Sequence, residues 1–177
     1  MTEPFQPILQ RCVSVDLEVD PATATIFAFA AVRDDARPPI LAKKRDLMAA
    51  LDRLEAESAE AEHLLGHNII RHDLPHLVAV RPKLANIFRS PIDTLWLNPL
   101  AFPRNPYHHL VKHHHDGRLQ GGHVNDPELD ARLVLEVLAN QIAAFKNLVE
   151  QMPAVLLAYH YLTTCAPGNG GFDALFG

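Results

Sequence analysis

Apolar and polar positions along this 177-residue chain change period several times, and each change predicts an element. Arg11 to Val19 reads as a strand apolar enough to be central, and Thr23 to Val32 as a second. Asp20-Pro21-Ala22 between them is a short turn, so the pair predicts an antiparallel hairpin. Pro39 to Ala42 is a third, shorter strand. Leu47, Met48, Leu51 and Leu54 recur at helical spacing and predict a helix from about Arg45 to Glu60. His63 to His67 predicts a strand that runs into a helix capped by Asn68, and Ile92 to Leu97 predicts another strand. Asn98 to Gly122 is rich in Pro, His and Gly and predicts a mobile loop. Asp126 then has the form of an N-cap with Pro127 at the first helical position. Leu129, Leu133, Val137, Leu138, Ile142, Phe145 and Val149 form the expected buried stripe of the helix that follows. Met152 to Thr163 is a last helix, broken by Pro167 to Gly171. No internal repeat or low-complexity linker interrupts the series, so one domain is expected over 1–177. The apolar tail Gly171 to Gly177 has no stop signal, which predicts the N-terminal part of a longer chain.

Composition narrows the class. A chain of this length buries roughly 70% of its unfolded surface, and 48% apolar with 21% charged residues is ordinary for a soluble globular protein. No apolar run approaches the ~20 residues of a membrane span, so no membrane partner is expected. The start, Met-Thr-Glu-Pro-Phe, lacks the blocks of a signal peptide. Cys12 and Cys165 are the only cysteines, which argues against a disulfide framework and for a reducing, cytoplasmic setting. The more apolar environment is expected for Cys165, rather than a reactive one.

Net charge is −5, which by itself speaks against a general nucleic-acid binder. Its distribution is uneven. Val78 to Arg118 carries six basic residues (Arg81, Lys83, Arg89, Arg104, Lys112, Arg118) against Asp93 and Asp116, with five histidines in the same stretch. Such a stretch is either a basic rim that grips a polyanion or a solvated loop of mixed charge. The run His113-His114-His115 is only weakly specific for a transition metal, and a His-rich metal-binding protein is one reading of it. Phe102 and Tyr107 are candidates either to stack on bases or to pack on the core.

The chemistry lies in three acidic segments. In Asp16-Leu17-Glu18 the period of a strand puts both carboxylates on one face and Leu17 on the other. The second segment is Gly66-His67-Asn68-Ile69-Ile70-Arg71-His72-Asp73, and the third is Asn125-Asp126-Pro127-Glu128-Leu129-Asp130-Ala131-Arg132. Asp73 and Asp130 alone would read as helix N-terminal acids favoured by the dipole. Carboxylates gathered from separate elements repel one another, and hard divalent ions with oxygen ligands are the natural counter-charge.

Together these segments resemble the DEDD superfamily of 3′–5′ exonucleases, over most of the chain from about Val13 to Leu138. The first motif of that family, Asp-x-Glu, is matched by Asp16 and Glu18. The second, His-Asn-x-x-x-x-Asp with a Leu four residues on, is matched by His67, Asn68, Asp73 and Leu77. Ile92-Asp93-Thr94-Leu95 is similar to the strand before the third motif, whose Asp-Ala is matched by Asp130 and Ala131. The strings His-Leu-Val-Lys and Asn-Asp-Pro-x-x-Asp-Ala-Arg resemble, more narrowly, exonuclease domains fused to DNA helicases.

The resemblance implies an α/β, RNase H-like three-layer fold with a central mixed sheet of about five strands flanked by helices. It implies a two-metal-ion enzyme that removes nucleoside 5′-monophosphates from a nucleic acid 3′ end, DNA before RNA, with an associated helicase. Asp16, Glu18, Asp73 and Asp130 would be the ligands of two Mg²⁺ or Mn²⁺ ions, and Leu17, His67 and Asn68 would touch the substrate. The chain departs from the family at one place: the general base is expected five residues before the last Asp, where Asn125 stands. His123, two residues upstream beside Gly121-Gly122, is the nearest histidine and the expected proton acceptor. That departure leaves a second class open, a catalytically weak nucleic-acid-binding module of a helicase or repair protein.

Overall fold

The computed structural model describes residues 6–108, 110, 126–164 and 173–176. Its five strands are β1 (Cys12–Asp20), β2 (Thr25–Val32), β3 (Ile40–Lys43), β4 (His63–Gly66) and β5 (Arg89–Asp93), in the order β3-β2-β1-β4-β5. β2 runs antiparallel to both β1 and β3, whereas β4 and β5 add to β1 in parallel. The helices are α1 (Gln6–Gln10), α2 (Leu47–Glu57), α3 (Asp73–Val80), α4 (Leu84–Ile87), α5 (Thr94–Ala101), α6 (Pro127–Gln151), α7 (Pro153–Thr164) and α8 (Asp173–Phe176). The architecture is α/β, a five-stranded mixed sheet flanked by helices, and is compatible with a three-layer RNase H-like fold.

The alternation in β1 divides the core in two. Val13, Val15 and Leu17 point to one face, where they meet Leu47, Leu51 and Leu54 of α2, Leu77 of α3 and Leu84 of α4. Cys12 points to the other, with Ala30, Val32, Leu65 and Ile92, under Val134, Leu138, Ile142 and Phe145 of α6. Asp16 pairs with Ala30 and Glu18 with Ala28 across the antiparallel ladder, so both acids lie on the α6 face. The hairpin turn is closed by Asp20, whose carboxylate accepts from the Ala22 N–H at 2.8 Å. That bond and the Thr23 side chain hold the Asp20 carboxyl below its ordinary value.

Several sequence expectations move. Asn68 does not cap a helix: it sits at φ +70° in a turn, and α3 starts only at Asp73. Ile92 to Leu97 is not one strand, because Asp93 accepts the Leu95 N–H at 3.0 Å and so caps α5 from Thr94 onward. Met48, Leu129 and Val149 are exposed rather than buried. Around α6 the inner positions are taken by Ala131, Val134, Leu135 and Gln141 as well as the expected leucines. α1 adds a short helix ahead of the first expected strand. Its C-terminal turn brings the Ile8 carbonyl onto the Cys12 thiol at 3.1 Å, and burial pushes that thiol up to about 12. No helix of the described residues is long and apolar enough to cross a membrane.

Candidate metal centre

β1 pairs with β4 only through Cys12, Val13 and Ser14, after which β4 turns away. The C-terminal half of β1 therefore projects beyond the parallel part of the sheet, which is where open α/β sheets place their ligands. Asp16 and Glu18 stand on this projection, and the ladder shifts register between Glu18 and Val19. The residues beside them on β2 are Ala30 and Ala28, which bring no bulk to the α6 face at that point.

The third acid comes from α6. Asp126 caps this helix, accepting from the N–H groups of Glu128 at 3.1 Å and Leu129 at 3.3 Å. Pro127 fills the first helical position, where no N–H is needed. Glu128 turns outward to Arg132 at 2.9 Å. Of the acids in this segment only Asp130 faces the sheet, and it is buried. One oxygen each of Asp16, Glu18 and Asp130 lies within 4.8 Å of the others. Three carboxylates this close suit a hard divalent cation, since two ligands of one ion at 2.0–2.6 Å are separated by about 3–5 Å.

Asp73 stands at the first position of α3, buried, with an oxygen 3.5 Å from Nδ1 of His72. It falls outside the group of three. His72 is nonetheless tied to Asp16 and Glu18 of β1. Its hydrogen bond to Asp73 raises its pKa most, burial opposes, and the charges of Asp73, Asp16 and Glu18 raise it further. A half-exposed imidazole inclined to carry charge thus sits at the rim of the carboxylates, a residue that the motif reading passed over.

The turn from β4 to α3 is built around Gly66 and Asp93. A Cβ on Gly66 would lie 2.7 Å from Cβ of Ile69, so the chain doubles back there only with glycine. The Asp93 carboxylate is fully buried and accepts from Asn68 N–H at 2.9 Å, Ile70 N–H at 3.1 Å and Leu95 N–H at 3.0 Å. Its burial raises its pKa against the lowering effect of those bonds. One carboxylate therefore fixes the turn before Asp73 to the start of α5. Thr94 adds a second tie: its hydroxyl donates to the Gly66 carbonyl at 3.2 Å, and its oxygen lies 2.9 Å from Nδ1 of His67. With the hydroxyl proton committed to Gly66, Nδ1 is the donor and neutral His67 carries its proton there. The signal for Asp93 was present in the sequence, since Asp-Thr ahead of an apolar run is an N-cap pattern.

Among the residues expected to touch substrate, His67 borders a cavity of about 520 Å³ between α5 and α6, which Phe102, Asn105, Tyr107 and Asn140 also line. Leu17 is buried on the opposite face of the sheet. The expected proton acceptor His123, with Asn125 and the His113-His114-His115 run, lies outside the described residues, as does Cys165. Most of the Asn98–Gly122 segment does too, though Asn98 to Ala101 belongs to α5. The expected basic rim loses a member. Arg81 pairs with Asp52 at 2.6 Å and Glu55 at 3.0 Å and so serves the packing of α2, while the exposed Lys83 lies 4.0 Å from Glu55. No protein-family model matches this chain, and no curated protein matches it either.

Proposed function

We propose that the chain is a metal-dependent 3′–5′ exonuclease that releases nucleoside 5′-monophosphates from a DNA or RNA end. One observation carries the reading: Asp16 and Glu18 from a strand and Asp130 from a helix bring their oxygens within 4.8 Å of one another. An acidic triplet in sequence is common. A strand pair completed by a helix 112 positions beyond Glu18, at ligand spacing, is not.

In this proposal Asp16, Glu18 and Asp130 would hold one Mg²⁺ or Mn²⁺, and Asp73 would help to hold a second. Bound there, the ions would lower the pKa of a coordinated water and offset charge on the reacting phosphate and its leaving 3′ oxygen. The protein's own part is positional. Asp130 is held by the capped first turn of α6, and Asp73 by the turn that Asp93 pins. His72, with its raised pKa, offsets part of the local negative charge. His67 and Asn68, on that turn, would meet the substrate, and His123 would take the proton of the attacking water.

The test is a single-stranded oligonucleotide labelled at its 5′ end and incubated with Mn²⁺. The wild-type chain should shorten it stepwise from the 3′ end, and Asp16→Asn should lower the rate at least about 10³-fold, since it removes a metal ligand rather than a single proton transfer worth ~10²–10⁴. Equal rates in the two proteins would end this reading. Binding without shortening would favour the nucleic-acid-binding module instead.

A further inference from the structure

Arg71 is exposed, and its guanidinium carbon lies 5.3 Å from the centroid of the Trp96 ring. Arg11, Arg33, Arg37, Arg81 and Arg132 each pair with a carboxylate, whereas Arg71 makes no ion pair among the described residues. Its partner is an aromatic face. A guanidinium at that distance is attracted to the face of the indole, and the contact spends none of its N–H donors on a carboxylate. The side chain thus keeps a bidentate donor set that suits a phosphate.

The pairing joins two separate elements. Arg71 belongs to the turn between β4 and α3, and Trp96 to the first turn of α5. The Asp93 carboxylate accepts from Asn68 and Ile70 on one side and from Leu95 on the other, so it fixes the register in which the two side chains meet. Arg71 stands two residues before Asp73 and next to His72, on which the charges of Asp73, Asp16 and Glu18 act. It is therefore an exposed cation on the turn that leads into Asp73, on a chain of net charge −5. A polyanion that approaches the carboxylates is repelled unless a positive group meets it.

We propose that Arg71, held against Trp96, binds a non-reacting phosphate of the nucleic-acid strand whose end lies at the carboxylates. The assignment rests on the exonuclease reading for its substrate, but binding can be measured apart from cleavage. Arg71→Met keeps an apolar side chain against Trp96 and removes the charge. Arg53→Ala removes an equal charge from exposed α2, on the opposite face of the sheet, and serves as the control.

The experiment is fluorescence anisotropy with a 5′-labelled single-stranded DNA of ten thymidines, without metal and over a range of salt, alongside Mn²⁺-dependent nucleotide release. Arg71→Met should weaken binding about 5–20-fold at low salt and flatten the slope of log K against log salt by ~0.7, the increment of one phosphate contact on a single strand. Its kcat should stay within about twofold while KM rises. Arg71→Lys should recover the slope and part of the affinity. A purely structural role in holding the turn predicts the opposite, with Arg71→Met close to wild type and the salt slope unmoved. That result, or an Arg71→Met indistinguishable from Arg53→Ala, overturns the proposal. Should Arg71→Met unfold, Arg71→Gln and Arg71→Lys carry the same comparison. Arg71-dependent binding without nucleotide release would uphold the phosphate contact and end the exonuclease reading. Release with a KM and salt slope independent of Arg71 would do the reverse, and a chain that neither binds nor cleaves would end both.

Discussion

Replacing Asp16 by Asn should change the stability of the chain in opposite directions with and without metal. Asp16, Glu18 and Asp130 present oxygens within 4.8 Å of one another. At that separation two unit charges repel by about 3.5 kcal/mol at an effective dielectric of 20, and by about 0.9 kcal/mol in bulk water. Asp16 is only half-buried, so its two pairs lie near the solvent-screened limit, and relief of about 2 kcal/mol is expected when its charge is removed. For a chain of this size that raises the metal-free melting temperature by about 4–8 °C. With Mn²⁺ at 100 times its Kd the wild type gains about 2.7 kcal/mol, or about 5–10 °C. If loss of a ligand weakens the site ~100-fold, the variant gains only about 0.4 kcal/mol from the same Mn²⁺. The two melting curves should therefore change order when metal is added, which a thermal melt by circular dichroism reads directly. A variant less stable than wild type without metal, or one with the same Mn²⁺ shift, would refute the clustering argument.

Three further outcomes are expected. Asp93→Ala strips an acceptor from three N–H groups of a buried junction, so urea unfolding should show a loss of about 2–5 kcal/mol, and Asp93→Asn, which keeps one acceptor, should lose less. With Cys165 replaced by Ser, iodoacetamide at pH 8 should leave the native chain unmodified and label Cys12 on unfolding, because burial holds that thiol near 12. The folded pKa of His72 lies above its unfolded value of ~6.5, so its favourable contact with Asp73 is fully present below that pH and is lost as pH rises through the folded value. The stability difference between metal-free wild type and His72→Gln should accordingly be larger at pH 5.5 than at pH 9, and a difference independent of pH would rule the contact out.

The sequence carried those parts of the site that depend on local periodicity. Alternation in β1 put Asp16 and Glu18 on one face, and the Asp126-Pro127 pair set the start of α6, which in turn aims Asp130 at the sheet. What could not be read was long-range satisfaction of backbone groups. Asp93 lies 25 residues after Asn68, yet its carboxylate takes the N–H groups of Asn68 and Ile70, and this keeps the turn open until Asp73. That demand overrides the helix that Asn68 would otherwise cap, and the same carboxylate ends β5 and starts α5 inside a run of apolar residues that reads as strand. The α6 stripe was misjudged at Leu129 and Val149 for a related reason. Leu129 shares a helix face with exposed Arg132 and Glu136, turned away from the sheet that its neighbours Asp130 and Ala131 meet, and Val149 lies beyond Phe145, the last buried residue of α6. Within the basic stretch, charge counts along the chain do not tell that Arg81 is consumed by Asp52 and Glu55.

The most direct test of the central claim is a crystal soaked with Mn²⁺ and a nucleoside 5′-monophosphate, read by anomalous scattering. The account predicts a peak within about 2–2.5 Å of oxygens from Asp16, Glu18 and Asp130, with the phosphate of the nucleotide on it and a second peak ~4 Å away on the Asp73 side. Manganese bound only at the histidine run, or a carboxylate cluster that stays free of metal with the nucleotide present, would contradict it.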